Sequence, residues 1–149
     1  MTECNHNCES CSQDNCESRI DKEKANDFSQ IKNVVAVVSG KGGVGKSMVT
    51  SLLAVELTRL GYKVGILDAD ITGPSIPKSF NINDKVMGNE SGIFPAKSSL
   101  GTKIISINLL LEKNTDPVLW RGPIISGVLK QFFTDVIWGE LDYLLIDMP

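Results

Sequence analysis

Apolar residues along this chain fall into short blocks separated by glycine and polar turns, and the spacing within the blocks changes from one to the next. Val34-Val35-Ala36-Val37-Val38 is an almost unbroken β-branched run, which predicts a strand buried on both faces of a parallel sheet. After a glycine-rich turn at Gly40–Gly45, apolar residues recur at helical spacing. Val49, Leu52, Leu53, Leu57 and Leu60 share one side, and Gly61 ends the helix. Lys63–Leu67 reads as a second strand leading into Asp68-Ala69-Asp70. The stretch from Gly73 to Gly101 predicts loops, a short helix near Ile76–Phe80 and a hairpin. Lys103–Leu110 is a further strand. Gly122-Pro123 opens a helix carrying Ile125, Val128, Leu129, Phe132 and Val136, and Leu141–Ile146 is a last apolar strand ending at Asp147. Strands alternating with helices imply an α/β fold with a mostly parallel sheet.

The first thirty residues break this pattern. They hold all four cysteines, and Ile20 is their one large apolar residue before Phe28. They also carry a charge of −4, against +1 for the remainder. Such a segment buries too little apolar surface to fold alone, so a disordered tail is expected unless a metal organises it. The division is therefore a Cys-rich metal-binding tail and linker over residues 1–32 and a globular part over 33–149. At 149 residues and a net charge of −3 the chain suits one main domain and does not favour nucleic acid as a partner. No apolar run reaches transmembrane length and the start lacks signal-peptide character, so no membrane association and a cytoplasmic location are expected. The chain stops at Met148-Pro149 directly after a buried strand, which reads as the N-terminal part of a longer protein.

Gly40-Lys41-Gly42-Gly43-Val44-Gly45-Lys46-Ser47 satisfies G-x-x-x-x-G-K-[ST] at every specified position and lies between a strand and a helix start. Glycines let successive backbone N–H groups turn toward a phosphate, and the helix end adds its positive dipole. Lys46 should reach the β- and γ-phosphates, the Ser47 hydroxyl should ligate Mg²⁺, and Met48 continues the binding segment. Asp147, ending a neighbouring strand, is placed to approach Mg²⁺. Asp68 and Asp70 end another strand at the edge where such sheets bind ligands, and Asp70 is the favoured residue for orienting an attacking water.

Cys4, Cys8, Cys11 and Cys16 form C-x₃-C-x₂-C-x₄-C within thirteen residues. Four thiolates so close together suit metal rather than disulfides in a reducing compartment. They could enclose a tetrahedral Zn²⁺ or a 4Fe–4S cluster, and spacing alone does not separate the two. The compact run, with no intervening core, is the more ferredoxin-like pattern.

Ser39–Ser47, with its additional Lys41, resembles the deviant Walker A loop of the MinD/ParA-like ATPases. Asp70-Ile71-Thr72-Gly73-Pro74-Ser75, Trp120-Arg121-Gly122-Pro123 and Trp138–Asp147 are similar to one branch, the Mrp/ApbC-type iron–sulfur cluster carriers. The likeness extends over residues 33–149. It implies a P-loop NTPase fold, with Lys41 acting across a dimer on the partner's nucleotide, Asp70 in switch I and Asp147 as the Walker B aspartate. It further implies ATP and Mg²⁺ as ligands, and a 4Fe–4S cluster passed from a scaffold to apo iron–sulfur clients by a homodimer. A nucleotide-dependent positioning switch with a structural zinc tail is the alternative.

Overall fold

The computed structural model describes residues 24–70, 75–83, 86–106, 109, 127 and 130–148. The four cysteines, residues 71–74 of the switch-like segment, Trp120-Arg121-Gly122-Pro123, and Ile125, Val128, Leu129 and Pro149 lie outside the described residues.

Strand β1 (Gln30–Val37) leads through the glycine loop into helix α1 (Lys46–Arg59), and β2 (Val64–Asp68) follows. A single-turn helix α2 (Ile76–Ser79), a hairpin of β3 (Gly88–Asn89) and β4 (Gly92–Ile93), then β5 (Ala96–Lys97), β6 (Lys103–Ser106) and β7 (Glu140–Asp147) complete the described elements. The main sheet has the order β1-β7-β2-β6-β5. Its first four strands are parallel, and β5 joins the far edge antiparallel. This is the mostly parallel α/β sheet read from the alternation of patterns. The short helix and the hairpin fall in the stretch expected to hold them.

Period-two side-chain alternation splits the core between the two faces of the sheet. Val64, Ile66, Ile104 and Leu145 pack with Ala54 of α1 and Ile76 of α2 on one face. Leu67, Ile105, Leu141 and Leu144 pack with Phe132, Val136 and Trp138 on the other. Trp138 is fully buried and lies flat enough against β2 that a Cβ on Gly65 would come within 3.0 Å of its ring.

Three expectations are corrected. β1 is not buried on both faces: among the described residues it is the outermost strand of the sheet, and Val34 and Val35, which point to opposite faces, are 50% and 38% exposed. The large apolar side of α1 is not its buried side. Small Thr50 and Ala54 sit on the sheet, with Leu57 partly covered, while Val49, Leu52, Leu53 and Leu60 are exposed. The small residues win because they let the helix backbone approach the sheet closely. Val136 is buried as expected but lies beyond the helix, which ends by Thr134, and makes a parallel bridge with Ile93.

Residues just before β1 are fastened to the body. The Ser29 hydroxyl accepts the Trp138 N–H at 2.9 Å and donates to the Val136 carbonyl at 3.3 Å, and the Asn26 amide donates to the Ser91 carbonyl. The chain therefore enters the domain at the amino edge of the parallel strands. The glycine loop lies a full strand away, at the carboxyl edge.

Candidate nucleotide site

β1 delivers Ser39 to the carboxyl edge of the sheet, and the loop turns there before Lys46 opens α1. Gly43 and Gly45 adopt φ of 74° and 91°, the left-handed region where a side chain is strained. The Gly45 carbonyl accepts the Val49 N–H at 3.0 Å, so Gly45 is the hinge between loop and helix. No acidic side chain occupies the first turn of α1, which leaves its positive end for an external anion. A cavity of about 500 Å³ covers this point, lined by Ser39, Gly40, Lys41, Gly42, Gly43, Gly45, Lys46, Ser47, Met48 and Asp70. Val44, expected in the binding set, does not line it, because its side chain is turned out to solvent. Lys41 is exposed at the cavity rim.

β7 lies between β1 and β2, so its last residue comes up beneath the loop. Asp147 is fully buried, and three donors converge on its carboxylate. The Lys46 ammonium lies 2.8 Å from Oδ1, the Ser47 hydroxyl 2.5 Å from Oδ2 and the Thr50 hydroxyl 3.0 Å from Oδ1. A buried carboxylate requires such compensation, because unpaired burial of charge costs several kcal/mol, on the order of the Born penalty left after relaxation. Asp68 is Asp147's register partner across β2 and β7 and is itself 1% exposed. Burial first, then the nearby Asp147 charge, pushes the Asp68 carboxyl up to about 7. Its Oδ2 has no hydrogen-bond partner among the described residues. Asp70 follows two residues later on the cavity wall, its N–H 3.3 Å from Asp68 Oδ1.

Lys46, Ser47, Asp147, Asp70 and Lys41 thus meet at one end of the sheet, as their motif spacing predicted. Two residues go beyond that expectation. Thr50 is a direct partner of Asp147; its trace in the sequence is a hydroxyl one helical turn after Lys46, with nothing to set it apart from the neighbouring Ser51. Asp68, set behind Asp70 in the sequence reading, is the aspartate beside Asp147. Ser47, Asp147 and Asp68 offer hard oxygen donors of the kind Mg²⁺ takes, and the Asp68 oxygen that has no partner among the described residues is compatible with that group.

Residues 30–149 match the sequence family described as ParA, NUBPL iron-transfer P-loop NTPase. The chain belongs to this family. Among other members, the iron-sulfur cluster carrier protein of Clostridium perfringens is 53% identical over 151 residues, covering 95% of this chain and 53% of the relative. The protein of the same description from Methanocaldococcus jannaschii is 47% identical, covering 100% and 54%. The cytosolic Fe-S cluster assembly factor CFD1 of Yarrowia lipolytica is 51% identical over 122 residues, covering 80% and 42%. The chain thus spans about half the length of the curated relatives it matches. In three dimensions it is similar to a nucleotide-binding protein from Archaeoglobus fulgidus solved in complex with ADP. The TM-score is 0.69 at 49% identity, over 80% of this chain and 45% of that one.

Proposed function

We propose that this chain is the nucleotide-binding part of an ATP-hydrolysing iron–sulfur cluster carrier. It acts as a homodimer in the cytoplasm, takes a labile 4Fe–4S cluster on Cys4, Cys8, Cys11 and Cys16 from a scaffold, and delivers it to apo-proteins. The observation that carries the reading is the convergence of Lys46 and Ser47 on the buried Asp147 beneath a glycine loop, in a family described by iron transfer. Names of relatives that refer to cluster carriage and cytosolic assembly support the cargo and the compartment.

The loop N–H groups and the amino end of α1 would bind the β- and γ-phosphates, with the Lys46 ammonium against the γ-phosphate. Mg²⁺, held by Ser47 and Asp147, would supply charge neutralisation between those phosphates. Asp70 stands on the cavity wall at the end of β2, where it can orient a water for in-line attack. Lys41 is exposed at the rim, where it would be free to act on a second subunit's nucleotide. No covalent enzyme intermediate is required, since the catalysis is positioning plus electrostatics.

Two variants test the two halves of the proposal on the intact protein. Lys46→Ala should abolish ADP and ATP binding, while anaerobically purified Lys46→Ala protein keeps about four irons and four sulfides per tail, with a broad absorbance near about 400 nm. Cys11→Ala should do the reverse, losing the absorbance and keeping the nucleotide. Unchanged nucleotide affinity in Lys46→Ala would overturn the P-loop reading. One zinc and no sulfide in the wild type would overturn the carrier and favour the positioning switch.

A further inference from the structure

The Asp147 carboxylate has three donors, and two of them belong to residues that the proposed function requires elsewhere. Lys46 must turn to phosphate and Ser47 to the metal when nucleotide binds. Each leaves a buried carboxylate whose register partner across the β2–β7 ladder is a second buried carboxyl, Asp68. Thr50 is different. It is 0% exposed and one helical turn beyond Lys46, whereas Lys46 and Ser47 themselves line the cavity. Its Oγ lies 3.0 Å from Asp147 Oδ1 and 3.1 Å from the Lys46 carbonyl. A hydroxyl has one proton to give. The carboxylate is the stronger acceptor, and a carbonyl in the first turn of a helix is already served by the N–H four residues on.

We propose that Thr50 is the fixed donor that keeps the Asp147 carboxylate in place while Lys46 and Ser47 exchange it for phosphate and Mg²⁺. The inference rests on the nucleotide reading above and deepens it. Thr50 acts through its hydrogen bond to Asp147, so it is a positioning residue. Its contribution belongs to the metal-dependent part of nucleotide affinity. The Mg²⁺-free part is carried by the loop N–H groups and by Lys46 once it has turned from Asp147 to phosphate.

The test measures ADP affinity by calorimetry on the intact protein, once with excess Mg²⁺ and once with chelator. Thr50→Val removes the hydroxyl and keeps the shape, and Thr50→Ser keeps the hydroxyl. We expect Thr50→Val to bind ADP in chelator within about twofold of wild type but to lose about tenfold of the gain that Mg²⁺ adds, as deleting one hydrogen bond to a charged group should. Thr50→Ser should retain that gain. If Thr50→Val does not fold, Thr50→Ala against Thr50→Ser asks the same question with another pair differing by one hydroxyl. A Val or Ala variant with the full Mg²⁺ gain overturns the assignment, and so does an equal loss with and without Mg²⁺, which would mark Thr50 as merely structural. Wild-type protein that binds no ADP under either condition fails earlier and elsewhere, since it removes the nucleotide reading itself.

Discussion

At the scale of single residues, the site is a problem in placing negative charge. Asp147 and Asp68 are adjacent across the ladder, both buried, and only Asp147 is ringed by donors. Asp68 therefore carries the electrostatic cost, and its carboxyl is held near 7 against an ordinary 3.8. Between those values the folded protein keeps the proton and the unfolded chain has lost it. Stability of the nucleotide- and metal-free protein should then fall as pH rises from about 4 to about 7. Asp68→Asn removes the charge without changing shape. Its thermal midpoint should exceed the wild type's at pH 8, and the difference should shrink toward zero by about pH 4. A difference that is constant across this range would show that Asp68 does not titrate there. This pairing of aspartates is also where sequence reading stopped short. A glycine loop followed by Lys46 and Ser47 announces its chemistry through fixed spacing, so those residues were legible. Which of Asp68 and Asp70 stands beside Asp147 depends on strand register, and the role of Thr50 depends on the depth at which α1 settles on the sheet. Neither quantity has a periodicity in the chain.

At the scale of elements, the alternation of patterns was enough to name β1, α1, β2, α2, β6 and β7, but burial depended on neighbours. The β-branched run of β1 has the composition of a central strand and lies at an edge. The leucines of α1 form an apolar stripe that the sheet does not cover, because the helix docks through Thr50 and Ala54 instead. β2 shows the opposite case, in which composition hides a tight fit. All five of its residues are buried, and Gly65 looks out of place in a strand until Trp138 is considered. A Cβ at Gly65 would meet Leu141 Cδ1 at 2.7 Å and the Trp138 ring at 3.0 and 3.1 Å. The leucine end can rotate, but the indole is enclosed and cannot. Gly65→Ala should therefore destabilise the protein by about 1–3 kcal/mol through overpacking, read as a lower midpoint in urea with an unchanged slope. Equal or greater stability would mean that Trp138 can yield, and that the glycine answers only to chain conformation.

At the scale of the whole molecule, two features lie at opposite ends of the sheet. Nucleotide would bind at the carboxyl edge, whereas the chain from the cysteine segment enters at the amino edge, where Asn26 and Ser29 clasp the body. The eight residues of β1 separate the two ends by about 26 Å at strand rise. Between these ends runs a surface with unusual composition. No strand among the described residues pairs with the outer edge of β1, which exposes Val34 and Val35 on its two faces, and α1 adds Val49, Leu52 and Leu53. Unpaired strand edges beside apolar surface template association with another chain. A solution of this 149-residue polypeptide should consequently self-associate with rising concentration. Val35→Lys puts a charge on the edge strand, and Leu52→Lys puts one on the helix stripe. Each should shift sedimentation-velocity distributions toward monomer at a given concentration, without lowering the thermal midpoint as a core substitution would. The edge change should act more strongly if the contact is strand on strand, and the helix change if it is face on face. A wild-type chain that stays monomeric throughout would mean that the exposed stripe is too interrupted by Ser51, Glu56 and the loop lysines to act as one surface.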